Sequence, residues 1–216
     1  MAGLFITFEG IDGCGKSTQL RMLASELRLR GCEVVSTREP GGTPLGNRLR
    51  HALLDIEEQV DPVAELLVFA ADRAQHVRAL LRPALESNHV VLSDRYADAT
   101  AAYQGAGRGF PEELISEVIA LATGGLMPEL TLVFDLTVDE SVRRAQARSA
   151  ESGRDRLEAE DAAFHTRVRH AYLRLAAAEP ERVRVVDASG SVQETHALVM
   201  RLVLPLVEEK MRGKDI

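Results

Sequence analysis

Gly10-Ile11-Asp12-Gly13-Cys14-Gly15-Lys16-Ser17 has the spacing of a phosphate-binding loop: a glycine, four residues, then Gly-Lys-Ser. Leu4-Phe5-Ile6-Thr7-Phe8 before it reads as a buried strand, and the chain from Ser17 onward reads as a helix. A glycine turn between the two aims several backbone N–H groups at one anion, and the helix N-terminus adds its positive dipole end. Lys16 brings a point charge to the β- and γ-phosphates, and the Ser17 hydroxyl suits a Mg²⁺ shell.

Outward from this loop, strand-like and helix-like patterns alternate. Helix 16–30 carries Leu20, Leu23 and Leu27 on one stripe, and Gly31 fits its stop. Residues 33–37, 89–93, 130–134 and 182–186 read as further strands. A helix over about 62–85 repeats Val63, Leu67, Ala70, Ala74, Val77 and Leu81 at helical spacing. Helices are also expected over 111–123, around Phe164, Val168, Ala171 and Leu175, and over about 191–211. Thr137 and Glu140 have capping-box spacing before another helix. This alternation predicts an α/β fold, a parallel sheet of the phosphate-loop NTPase type with helices on both faces, in a single domain spanning 1–216. Ligands in such sheets bind beyond the carboxyl ends of the strands, which selects the loops starting at Gly10, Arg38, Asp94, Asp135 and Asp187.

The net charge of −7 argues against a nucleic-acid partner, and no apolar run is long enough for a membrane span. Only two cysteines occur, Cys14 and Cys32, and Cys14 lies inside the phosphate loop, so a reduced, cytoplasmic setting without a secretory leader is expected.

Several constellations sit at strand ends. Asp94-Arg95 joins an acid able to hold the water shell of Mg²⁺ to an arginine able to grip a phosphate in two-pronged fashion; its bland counterpart is a local ion pair. Arg38-Glu39-Pro40-Gly41-Gly42-Thr43 is either a second phosphate clamp or a turn facing water. Phe69 and Arg73, four apart on a helix, share a face offset from the apolar stripe, and spacing alone favours a core-edge ring and a solvated arginine over a base-binding pair. Tyr103 through Gly109 holds three glycines and reads as a flexible loop. Arg148, Arg154 and Arg156 lie in a polar stretch, about 148–161, which is either a solvated loop or a basic lid over transferring phosphate.

In this order the segments resemble the thymidylate kinase family. The matches are Phe8-Glu9-Gly10 with the phosphate loop, Arg38 to Thr43, Phe69 with Asp72-Arg73, Asp94-Arg95-Tyr96, Ala102 to Gly105 with Gly107-Arg108-Gly109, and Asp155-Arg156. The resemblance implies transfer of the ATP γ-phosphoryl to dTMP, giving dTDP on the way to dTTP, in a cytoplasmic homodimer that uses Mg²⁺. It implies that Gly10, Ile11, Asp12, Gly13, Cys14, Gly15, Lys16, Ser17 and Thr18 hold ATP, with Asp12 near acceptor and metal. Arg38 and Arg95 would grip the dTMP phosphate, Phe69 would stack on thymine, and Arg73 would donate to its O4. Thr100 would meet the N3 edge, Tyr103 would pack on the deoxyribose, and Gln104 would lie nearby. Ser17 and Asp94 would face the metal, directly or through water, and the loop from Asp187 to Val192 would border adenine.

The family places a catalytic arginine either in the phosphate loop or in the lid. Gly13 and Cys14 are not basic, so this chain resembles the bacterial lid type, with Arg156 ahead of Arg154 and Arg148. Ala99 stands where the family often has serine, which removes a hydroxyl contact. The rival readings are a kinase for another nucleoside monophosphate or a deoxynucleoside, a GTP or ATP switch, and a non-catalytic ATP-binding module. No Asn-Lys-x-Asp guanine signature occurs.

Overall fold

The computed structural model describes residues 3–56, 58–149 and 156–212, the side chains of 148, 149 and 211 excepted. Five strands form one parallel sheet in the order β2-β3-β1-β4-β5: β1 (Leu4–Glu9), β2 (Val34–Arg38), β3 (Val90–Asp94), β4 (Leu130–Asp135) and β5 (Val183–Asp187). β1 is central and wholly buried, which is why it reads as a continuous apolar run. Alternation sends Leu4, Ile6 and Phe8 into a core with α1 (Lys16–Leu29) and α9 (Val192–Arg212), where Phe8 stacks on Phe134 at 5.7 Å. Phe5 packs in a second cluster with Val91 and Tyr96, while Val133 joins a third with Phe164 and Tyr172.

The remaining helices are α2 (Pro44–Leu54), α3 (Pro62–His76), α4 (Arg82–Glu86), α5 (Ala97–Thr100), α6 (Glu112–Thr123), α7 (Val138–Ser149) and α8 (Ala162–Ala178). π-helical turns join α3 to α4 (Val77–Leu81) and extend α5 (Ala101–Gly107). Helix α2 has no counterpart in the sequence reading, although its signals are present: Thr43 accepts the Gly46 N–H at 2.9 Å and Pro44 opens the first turn.

Three expectations change. The apolar stripe expected over 62–85 lies inside only at its end, at Val77 and Leu81; within α3, Val63 and Leu67 are 52% and 58% exposed. The helix buries Glu65, Leu66, Phe69, Asp72, Arg73 and His76 instead. Spacing defines both faces equally well, and the polar one goes inside because Glu65 and Arg73 find charged partners there. The segment Tyr103 to Gly107 is not a loop but π-helix, a geometry frequent at functional sites. Gly107 is required there, because a Cβ would stand 2.7 Å from the Phe164 ring. The capping box is not formed through Glu140, whose carboxylate takes Arg143 and Arg144.

Candidate active site

Strand order creates the site. β1 pairs with β3 on one side and β4 on the other, so the loops after β1 and β3 diverge from neighbouring strand ends and open a crevice. Register brings Asp94 beside Phe8 and beside Arg38. The resulting cleft, about 370 Å³, runs from the phosphate loop (Asp12, Gly13, Gly15, Lys16, Ser17, Thr18) past Asp94 and Arg95 to a pocket with Phe69, Arg73, Ala99, Thr100, Tyr103 and Gln104. Arg38, Glu39 and Pro40 form another part of its wall.

At the phosphate end, the ammonium of Lys16 is folded onto the loop, donating to the Gly10 and Ile11 carbonyls at 2.9 and 3.0 Å. The Ser17 hydroxyl donates to Asp94 at 2.5 Å, so the two proposed metal-facing groups share one spot. Cys14 is buried, and burial pushes its thiol above the usual range. Gly13 abuts α7, and the Ser141 hydroxyl donates to the Asp12 carbonyl, so the loop leans on the helix that follows β4.

In the middle of the cleft Arg95 has φ 70°, a left-handed backbone rare for a side-chain-bearing residue. Its guanidinium reaches Gly10 O at 3.0 Å, Asp12 at 2.7 Å and the Tyr103 hydroxyl at 3.0 Å, with its carbon 4.7 Å above the Tyr103 ring. Behind it Glu9 is fully buried, accepting the Tyr96 N–H at 2.7 Å and the Tyr172 hydroxyl at 2.6 Å. Burial, with Asp98 adding to it, pushes the Glu9 carboxyl up to about 8. The sequence marked Glu9 only as part of the Phe8-Glu9-Gly10 match, with no role attached.

At the far end Arg73 is buried and braced by three bonds: Glu39 at 2.8 Å, the Thr100 hydroxyl at 2.7 Å and the Tyr96 carbonyl at 2.9 Å. Glu39 also pairs with His76 at 2.8 Å. Asp72 accepts the Gly41 N–H at 3.0 Å, its other oxygen has no hydrogen-bond partner among the described residues, and burial next to Glu39 lifts its carboxyl to about 6. Glu39 and Asp72 thus tether the Arg38–Thr43 loop to α3.

The sequence reading missed Arg50, Arg21, Leu54, Leu157 and Glu158, all of which line the cleft. Arg50 was missed because α2 was; it donates to the Pro40 carbonyl at 3.2 Å. Arg156 is not in the cleft wall: its guanidinium donates to the Leu53 carbonyl at 3.1 Å and to Glu65 at 2.6 Å. Arg154, and the side chain of Arg148, lie outside the described residues.

The thymidylate kinase family model matches residues 8–199. A thymidylate kinase of Citrifermentans bemidjiense is 52% identical over 91% of this chain and 89% of its own length. One of Nitratidesulfovibrio vulgaris is 50% identical over 97% of this chain and 100% of its own. The crystal structure of thymidylate kinase from Ehrlichia chaffeensis superposes with a TM-score of 0.76 at 32% identity, covering 94% of this chain and 99% of that one. The chain belongs to the thymidylate kinase family. As a thymidylate kinase family member it is a nucleotide-binding transferase with ATP and dTMP as substrates, acting in dTTP synthesis. Among the described residues no helix is long and apolar enough to cross a membrane.

Proposed function

We propose that the cleft performs this phosphorylation with ATP on the phosphate loop and dTMP in the Phe69–Arg73 pocket. The observation that carries the reading is that one continuous cleft joins an anion-binding loop to an aromatic and arginine pocket, with Asp12, Asp94 and Arg95 between them. A phosphate oxygen of dTMP attacks the γ-phosphorus of ATP in line, the bond to the β,γ-bridging oxygen breaks, and ADP leaves with that electron pair. Catalysis of this kind is positioning and charge stabilisation.

The backbone from Gly10 to Thr18 cradles the ATP phosphates, and Lys16 swings from its carbonyl contacts onto the β/γ oxygens. Arg95, already fixed by Asp12 and Tyr103, grips the acceptor phosphate, and Arg38 and Arg50 add charge from the facing wall. Phe69 stacks on thymine, Arg73 donates to O4, and Thr100, Tyr103 and Gln104 bound the base and sugar.

Ser17 and Asp94 offer hard oxygen donors at one point of the cleft, which fits Mg²⁺. Among the described residues no group of three or more His, Cys, Asp or Glu side chains could hold a metal ion, so phosphate and water oxygens would complete the shell of a metal that offsets phosphate charge. A side chain at residue 13 would collide with Ser141, which favours a catalytic arginine from the lid stretch, with Arg156, Arg154 and Arg148 as the basic residues there.

We also propose a cytoplasmic homodimer. Cys14 and Cys32 form no disulfide. Val63 and Leu67 on α3 and Leu114 and Leu121 on α6 are exposed, and the two helices touch. Light scattering after size exclusion tests the dimer. A coupled ADP-release assay with dTMP, dUMP, dCMP, dGMP and thymidine as sole acceptors tests the function; turnover confined to dTMP and, more weakly, dUMP is expected.

A further inference from the structure

Glu65 lies in the first turn of α3 and is fully buried behind the acceptor pocket. Its carboxylate is enclosed by donors. One oxygen accepts Gln104 Nε2 at 2.8 Å and Arg108 Nε at 3.2 Å; the other accepts Arg108 Nη2 at 2.9 Å and Arg156 Nη2 at 2.6 Å. Arg108 also pairs with Glu160 at 2.6 Å and lies 4.8 Å above the Phe164 ring, so the cluster is two carboxylates against two guanidiniums. Burial raises the Glu65 carboxyl, but the bonds from Arg108, Gln104 and Arg156 prevail and hold it below the usual range.

An ionised carboxylate only accepts hydrogen bonds, whereas an amide end can either donate or accept. The end of Gln104 that meets Glu65 must therefore be its NH₂ group, and its carbonyl oxygen is the end left for other partners. Gln104 lines the cleft together with Arg73 and Thr100. We propose that Glu65, held by Arg108 and Arg156, is a positioning residue that fixes the polarity of the Gln104 amide and thereby makes the pocket choose a base with an N–H donor at its edge. Thymine carries N3–H beside O4. Cytosine carries an unprotonated N3 acceptor beside an amino group, and so opposes the fixed carbonyl of Gln104 as well as the donors of Arg73. Arg156 in this arrangement is a strut between α2 and α3, donating to Leu53 O and Glu65.

The inference rests on the pocket being the dTMP site, and the experiment separates the two. Binary affinity for dTMP and dCMP without ATP, and kcat/KM for both, are measured in the full chain and in Glu65→Gln, Gln104→Leu, the double variant and Phe69→Ala. A glutamine at residue 65 can donate or accept, so both amide orientations become possible. The dTMP/dCMP ratio should fall by about tenfold or more in Glu65→Gln and in Gln104→Leu, the discrimination one base-edge hydrogen bond carries. It should fall no further in the double variant, and KM for ATP should stay within about twofold. An unchanged ratio in Glu65→Gln, or fully additive losses, overturns the role of Glu65. Undiminished dTMP binding in Phe69→Ala overturns the pocket itself. Should Glu65→Gln fail to fold, Glu65→Gln with Arg156→Met removes one charge of each sign from the cluster, and the same ratio is read.

Discussion

Gly13 lies against the carbonyl of Ser141 so closely that a Cβ at residue 13 would overlap that oxygen and stand 3.0 Å from the Ala145 amide nitrogen. The residue also has φ 86°, where a side chain is strained in any case. The phosphate loop and α7 are therefore packed as one body. Gly13→Ala should destabilise the protein by about 2 kcal/mol or more through strain and displacement of the loop, and weaken ATP binding. Thermal denaturation and ATP titration check this; a melting temperature equal to the parent's would refute the packing argument. Gly13→Arg should fare worse, and no arginine at this position should replace one from the lid.

Lys16→Ala should nearly abolish turnover and leave the fold intact. The Nζ bonds to the Gly10 and Ile11 carbonyls lie within the loop, so their loss exposes carbonyls that water can reach once the side chain is gone. The missing charge acts on the transition state, and a drop in kcat of about 10²–10³ is expected by analogy with loss of one stabilising donor. Steady-state kinetics beside circular dichroism decide it, and kcat near the parent's would contradict the assignment.

Glu9 predicts a pH signature. Its carboxyl sits at about 8 in the fold against an ordinary 4.5, so the folded chain binds a proton that the unfolded chain releases. The resulting stability is fully present below pH 4.5 and is lost as pH rises through about 8. Glu9→Gln keeps the neutral shape and removes this dependence. Denaturant titrations from about pH 5 to about pH 9 should show the variant gaining on the parent as pH rises. Parallel stability curves would mean that Glu9 is not held protonated.

The fold was legible because its signals are local. Leu4 to Phe8 is apolar throughout as a central strand must be, and the glycine pattern follows it directly. What stayed hidden is what depends on partners distant in sequence. The helical period of α3 describes two faces, and the bonds of Glu65 to Gln104, Arg108 and Arg156 and of Arg73 to Glu39 say which is inside. Spacing alone likewise disfavoured Phe69 and Arg73 as a pocket pair, because Glu39 and Thr100, the groups that make a buried arginine tolerable, lie 34 and 27 residues away. Arg50 escaped with α2, whose Thr43-Pro44 start was there to be read. Glu9 escaped because a carboxylate ending a strand usually meets water, and here Tyr172, 163 residues on, closes over it.

Arg73 joins stability to base recognition, so its removal should be felt in both. Its guanidinium has five N–H donors, and the bonds to Glu39, Thr100 and the Tyr96 carbonyl occupy three. The remaining donors are on its terminal nitrogens, and Arg73 lines the cleft where a base oxygen would arrive. Arg73→Met keeps much of the volume but leaves buried Glu39 with His76 alone. Stranding half of a buried ion pair costs about 3–5 kcal/mol, so the melting temperature should fall clearly. Arg73→Met with Glu39→Gln should recover part of that loss, since no unpaired carboxylate is left behind. Neither variant should recover dTMP affinity, because the donors to the base are absent from both. Thermal denaturation with and without dTMP reads the two effects separately. If the double variant regained stabilisation by dTMP, Arg73 would be acting as a strut for the pocket and not as a donor to the base.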